Sequence, residues 1–155
     1  MAVLMMVGTM LMVLGYYLFL LPPATGQARD EPAAAGAAAV LLAHQRAAVD
    51  WCLRTACPDG AVPSSGLTLP PGYGAAAWVQ SVAQGGLVTT YATGLRVDAL
   101  AIARSLGDLT AGGPSAGLST AGGTVAVRSA RSGRIPVAIV FGVPAGVPVI
   151  SQKVK

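Results

Sequence analysis

Trp78-Val79-Gln80-Ser81-Val82-Ala83-Gln84-Gly85-Gly86-Leu87-Val88-Thr89-Thr90-Tyr91 is the stretch on which the reading of the fold turns. Two runs rich in β-branched and aromatic residues, Trp78 to Val82 and Leu87 to Tyr91, flank a Gly85-Gly86 pair. Glycine adopts positive φ at little cost, so the pair is read as a tight turn and the flanking runs as antiparallel strands. A hairpin alone is marginal in water and needs a partner layer. The rest of the chain supplies candidates on both sides.

Upstream, Glu31 to Arg54 has the composition of a helix, with six alanines between Ala33 and Ala39. Val40, His44, Ala48, Trp51 and Thr55 recur at helical spacing and define one face. Ala61 to Gly74, with Pro63, Pro70 and Pro71, reads as loop. Downstream, Val97, Leu100, Ala101 and Ile102 predict a short helix over 95–106, with Thr93 as cap and Gly107 as stop. Thr110 to Gly123 is rich in Gly, Ser and Thr and reads as loop, before three further strands over 124–128, 135–141 and 147–150. Pro136, Pro144 and Pro148 confine these to edges or strand ends. The order predicts an α+β domain, an antiparallel sheet packed on helices.

The first residues have a different character. From Ala2 to Leu21 there is no charged residue, and only Gly8, Thr9 and Gly15 interrupt the apolar run. At helical rise twenty residues span about 30 Å, the thickness of a bilayer core, whereas a signal-peptide core needs only about 7–15. The length favours a retained anchor, although Ala24-Thr25-Gly26 would suit a signal peptidase. The expected organisation is a transmembrane helix at 1–22, a linker at 23–32, and an exported α+β domain at 33–155 that begins with the long helix. Gly8 and Gly15 would let a neighbouring helix approach the span closely; lipid-facing glycine is the alternative. Arg29 is the one cation close to the span, so the positive-inside rule does not set the orientation.

The cysteines bear on the compartment. Cys52 and Cys57 are the two in the chain, at the end of the long helix and just before Pro58-Asp59-Gly60. Partners at i, i+5 on a continuous helix diverge, so a disulfide requires the chain to turn between them, which the Pro-Asp-Gly breaker provides. A bridge would place the domain in an oxidising compartment such as the periplasm. Two buried thiols are the alternative. Neither zinc-ligand spacing nor a Cys-x-x-Cys redox pair is present.

Chemistry-bearing patterns are sparse. Gly113-Pro114-Ser115-Ala116-Gly117 matches the hydrolase Gly-x-Ser-x-Gly pattern, but no Asp, Glu or His follows Asp108 to complete a triad in chain order. His44 with Asp50 could serve only from upstream, and His44 is expected to be a packing residue. The acids are scattered, with no acid/base pair, and the glycine pairs lack the lysine of a phosphate loop. No catalytic residue, cofactor or metal is expected. The net charge of +4 gathers at the end of the chain in Arg128, Arg131, Arg134, Lys153 and Lys155. These read as a solvated edge that discourages strand pairing, or as a partner contact at Arg128, Arg131 and Arg134. Without aromatic residues among them, nucleic-acid binding is not expected.

Gly66-Leu67-Thr68-Leu69-Pro70-Pro71-Gly72-Tyr73, the Trp78 after it and the hairpin through Tyr91 resemble the small membrane-anchored PilM proteins of type IVb and conjugative thin-pilus systems. So do Gly117-Leu118, Ile135-Pro136 and Ala145-Gly146-Val147-Pro148-Val149-Ile150. The resemblance extends over nearly the whole chain, though the cysteine pair and the alanine-rich helix depart from it. It implies a single-pass protein of the bacterial inner membrane with a periplasmic domain, a non-enzymatic part of pilus assembly. Its partners would be other inner-membrane assembly proteins, pilin and the lipid bilayer, with no nucleic acid and no small-molecule substrate. A minor pilin or pilus-associated subunit is the alternative. Pilins, however, normally carry a basic leader and a glutamate near the start of the apolar segment, and the first acid here is Asp30. A secreted hydrolase is a third reading, without a site.

Overall fold

The computed structural model describes residues 27–111, 115–126, 137–140 and 142–154. The apolar run at 1–22, with Gly8 and Gly15, and the basic positions Arg128, Arg131 and Arg134 lie outside the described residues. Among the described residues no helix is long and apolar enough to cross a membrane.

The chain forms an α+β fold. Helix α1 (Gln27–Thr55) is followed by a two-residue strand β1 (Gly60–Ala61), a 3-10 turn (Ser64–Gly66) and the hairpin β2 (Val79–Gln84) and β3 (Leu87–Ala92). Helix α2 (Ala99–Leu109) then leads to β4 (Ala116–Ser119), β5 (Thr124–Ala126), β6 (Val137–Ala138) and β7 (Pro148–Lys153). All strands join one antiparallel sheet in the order β1-β2-β3-β7-β4-β5-β6. The last strand is thus inserted between β3 and β4, at the centre.

The hairpin is where the sequence puts it. Gln84 pairs with Leu87 across Gly85 and Gly86, whose φ angles of 57° and 75° give the double positive-φ turn whose twist matches that of the strands. Gly86 is also closely approached: a Cβ there would lie 2.9 Å from the Val154 carbonyl oxygen, and Val154 N–H donates to Gly86 O at 2.7 Å. The turn therefore docks the end of the chain as well as reversing the strand.

Strand alternation sorts the sheet into two faces. Ala83, Val88, Ala92, Ile150 and Ala116 face the helices and pack with Ala34, Ala38, Leu41, Ala48, Ile102 and Leu106. Tyr91 and Val149 point the other way, against Ile139, where the chain after β6 folds back beneath the sheet. Val140 N–H donates to Thr89 Oγ1 at 3.1 Å and fixes this cover. Burying Leu41, Ile102 and Leu106 completely stabilises the helix layer by about 1.5–3 kcal/mol each. The alanines of α1 contribute differently, letting its backbone lie close to the sheet.

Several elements differ from the sequence reading. Helix α1 includes Gln27 to Pro32, so residues 27–32 of the stretch read as linker are helical. Its buried stripe runs through Ala34, Ala38, Leu41, Gln45, Ala48 and Cys52, about one residue round from the expected face, with Thr55 exposed. Helix α2 starts later than expected, because the Asp98 carboxylate caps it through Leu100 N–H at 3.1 Å; Thr93 is not its cap. Gly107 lies inside it, and the stop comes at Thr110, whose hydroxyl donates to Leu106 O at 2.7 Å. The expected loop at 110–123 contains β4, a strand of small residues buried on both faces.

Candidate functional site

The two cysteines come together where α1 ends. Ala56 and Cys57 adopt φ of 59° and 48°, a left-handed step that reverses the chain after Thr55 and returns Cys57 to Cys52, and the two are joined by a disulfide. Left-handed backbone costs a residue bearing a Cβ about 1–2 kcal/mol. Cys52 is buried against Ala48, Val62, Ala83, Val88 and Val154, while Cys57 is partly exposed beside it. Beyond the bridge, Asp59 Oδ1 accepts from Gly85 N–H at 2.8 Å, and Trp51 lies against the backbone of Gly66.

His44 is buried at 2% exposure, and its Nε2 lies 3.3 Å from the Gly74 carbonyl oxygen, so the ring ties the proline-rich loop to α1. Asp50 is exposed on the same helix. Six residues of helix turn about 240°, which points the two side chains in different directions. Ser115 precedes strand β4, and its carbonyl accepts from Ser151 N–H at 2.8 Å. A hydrolase elbow needs its serine on a turn from strand into helix. Here the turn leads into a strand, and His44, Asp50 and Ser115 do not form a constellation.

Gln45 is a buried polar group that the sequence reading missed. It lies at 1% exposure on the sheet-facing stripe, its Nε2 donates to Val88 O at 3.2 Å, and its Oε1 has no hydrogen-bond partner among the described residues. It pins α1 to the backbone of β3. Its signal in the sequence was the helical spacing from Leu41 and to Cys52, hidden by the neighbouring His44. Two hydroxyl pairs cross-link the same strands: Ser81 with Thr90 at 2.7 Å and Thr89 with Ser151 at 3.0 Å. These buried groups are spent on holding the sheet.

A cleft of about 350 Å³ lies at the far end of the sheet, lined by Thr120, Ala121, Gly122, Gly123, Val140, Gly142 and Val143. Among the described residues its lining has no titratable side chain. Among the described residues no group of three or more His, Cys, Asp or Glu is placed to hold a metal ion.

The family model for PilM matches residues 6–151, nearly the whole chain and both faces of the sheet. The chain belongs to the PilM family. No curated protein and no solved structure matches it. As a PilM-family member the chain is a pilus-related protein, and the family's matched span includes the hairpin, the buried central strand β7 as far as Ser151, and the disulfide-closed end of α1.

Proposed function

We propose that this PilM-family chain is a non-enzymatic component of a type IVb or conjugative pilus assembly apparatus. In this reading residues 1–22 anchor it in the inner membrane, and the α+β domain works in the periplasm through contacts with other assembly proteins. The match to the PilM family over residues 6–151 carries the reading. The apolar run from Ala2 to Leu21 supports an anchor. The Cys52–Cys57 bridge supports an oxidising compartment, where such bonds persist. The polar groups of the domain support contact over turnover: His44 is committed to Gly74 O, and Ser115 enters a strand.

Cross-linking in intact cells, followed by membrane extraction, tests this directly. The expected result is a chain in the inner-membrane fraction, cross-linked to other pilus-assembly proteins, with its domain open to protease only after the outer membrane is permeabilised. Replacing Arg128, Arg131 and Arg134 together by Glu should weaken those cross-links. A chain recovered from the soluble fraction as a mature product beginning at Gln27 would contradict the reading.

A further inference from the structure

We propose that the Cys52–Cys57 disulfide is a redox-sensitive clamp on the outermost strand of the sheet: its reduction releases the segment from Ala56 to Val62 and opens the outer edge of β2. The first observation is how little else holds β1. It has two residues, both exposed, which pair with Ala83 and Val82. The hydrogen bonds that flank the pairing are Val62 N–H to Ser81 O at 2.9 Å and Gly85 N–H to Asp59 Oδ1 at 2.8 Å. Between Cys57 and Gly66 only Val62 inserts a buried aliphatic side chain, beside Cys52 and Ala83; further on, Leu67 packs half-buried on the same cluster and Gly66 lies against Trp51, so the segment is held again beyond Val62.

The second observation is how the segment is aimed. Thr55 ends α1, and two consecutive residues with side chains, Ala56 and Cys57, take positive φ to bring the chain back over the helix end. Residues other than glycine resist this conformation unless the surrounding structure enforces it. The covalent link from Cys57 to the buried Cys52 is the enforcement. Without it, extended or right-handed conformations at Ala56 and Cys57 become available, and they carry Asp59 and β1 away from β2.

The third observation is access. Cys52 is 1% exposed, whereas Cys57 is partly exposed, so a reductant reaches the bond from the Cys57 side. A dithiol thiolate attacks Cys57 Sγ, the Cys52–Cys57 bond breaks, and Cys52 leaves as a thiolate and takes up a proton. The reagent's second thiol then displaces Cys57 and closes the reagent's own disulfide. Two electrons and two protons pass from the dithiol to the cysteine pair. Freed Cys52 stays in the apolar cluster as a small hydrophobic side chain, so the core under β3 and β7 keeps its packing while the strap lets go. An uncovered β2 edge presents unpaired backbone groups able to accept an extended segment.

Hydrogen exchange on the full chain in detergent, oxidised and after dithiothreitol treatment with alkylation, tests the clamp. The amides of Val62 and Gly85, which bond to Ser81 O and Asp59 Oδ1, should exchange at least about tenfold faster after reduction, with 87–92 and 148–153 unchanged, as expected of local opening. Cys57→Ser should show the fast pattern without reductant. Equal exchange at Val62 and Gly85 in both states would overturn the proposal, as would acceleration across every strand, which would make the bond a staple of the whole fold. Two freely alkylating thiols before reduction, or a Cys57→Ser pattern like that of the oxidised protein, would also overturn it.

Discussion

At the scale of single residues, Gln45 shows how a polar side chain can be built into a core as a tie between helix and sheet. Its amide nitrogen is satisfied by Val88 O and its oxygen is not. A methionine of similar length would remove the orphan acceptor at the loss of one hydrogen bond, so Gln45→Met should change stability by no more than about 1 kcal/mol. Gln45→Glu places a carboxylate in the same dry position and should cost about 3 kcal/mol or more at neutral pH, read by denaturant titration. Gly86 makes the opposite point, since both its φ of 75° and the Val154 carbonyl at 2.9 Å exclude a side chain. Gly86→Ala should destabilise by about 1–3 kcal/mol, well beyond the effect of an ordinary glycine replacement. The glycine pair was legible in the sequence because the turn chemistry is local. Gln45 was not, because whether a glutamine on a helix faces water or a strand depends on the angle at which the helix is docked.

Among the elements, legibility followed periodicity and failed where side chains are small. The β2–β3 hairpin has branched residues either side of a glycine pair and was readable to within about two residues. Strand β4, Ala116 to Ser119, offers Ala, Gly, Leu and Ser; it is a strand because β5 and β7 flank it and both its faces are covered. Composition alone made it loop. Helix α2 was recognised but misplaced, since a hydroxyl cap at Thr93 and a carboxylate cap at Asp98 look alike in sequence, and the bond to Leu100 N–H selects the second. Asp98→Ala should therefore cost about 1 kcal/mol, whereas Thr93→Ala should have no effect through α2. Thermal unfolding followed by circular dichroism separates the two. The expected stripe on α1 is met in part: His44 and Ala48 are buried and Val40 and Trp51 half-buried, whereas Thr55 is exposed and Leu41, Gln45 and Cys52 beside it face the sheet.

For the whole molecule, several of the described polar side chains hold the fold together. His44 fastens a loop, two hydroxyl pairs tie β2 to β3 and β3 to β7, and the disulfide closes α1 over the outer strand. Helix α1, at about 1.5 Å per residue, is roughly 43 Å long and packs on the sheet and on α2 from Ala34 to Cys52, and the apolar run lies at its N-terminal side in the chain. On our account a domain carried in this way acts by being held in place against partners. That account is tested most directly by counting assembled pili in cells that lack this chain and are complemented with the wild-type protein or with Ser115→Ala. Cells without it should have lost their pili, and both complemented strains should regain them equally. Pili that assemble without the chain, or a Ser115→Ala protein that inserts at the wild-type level yet restores none, would contradict it.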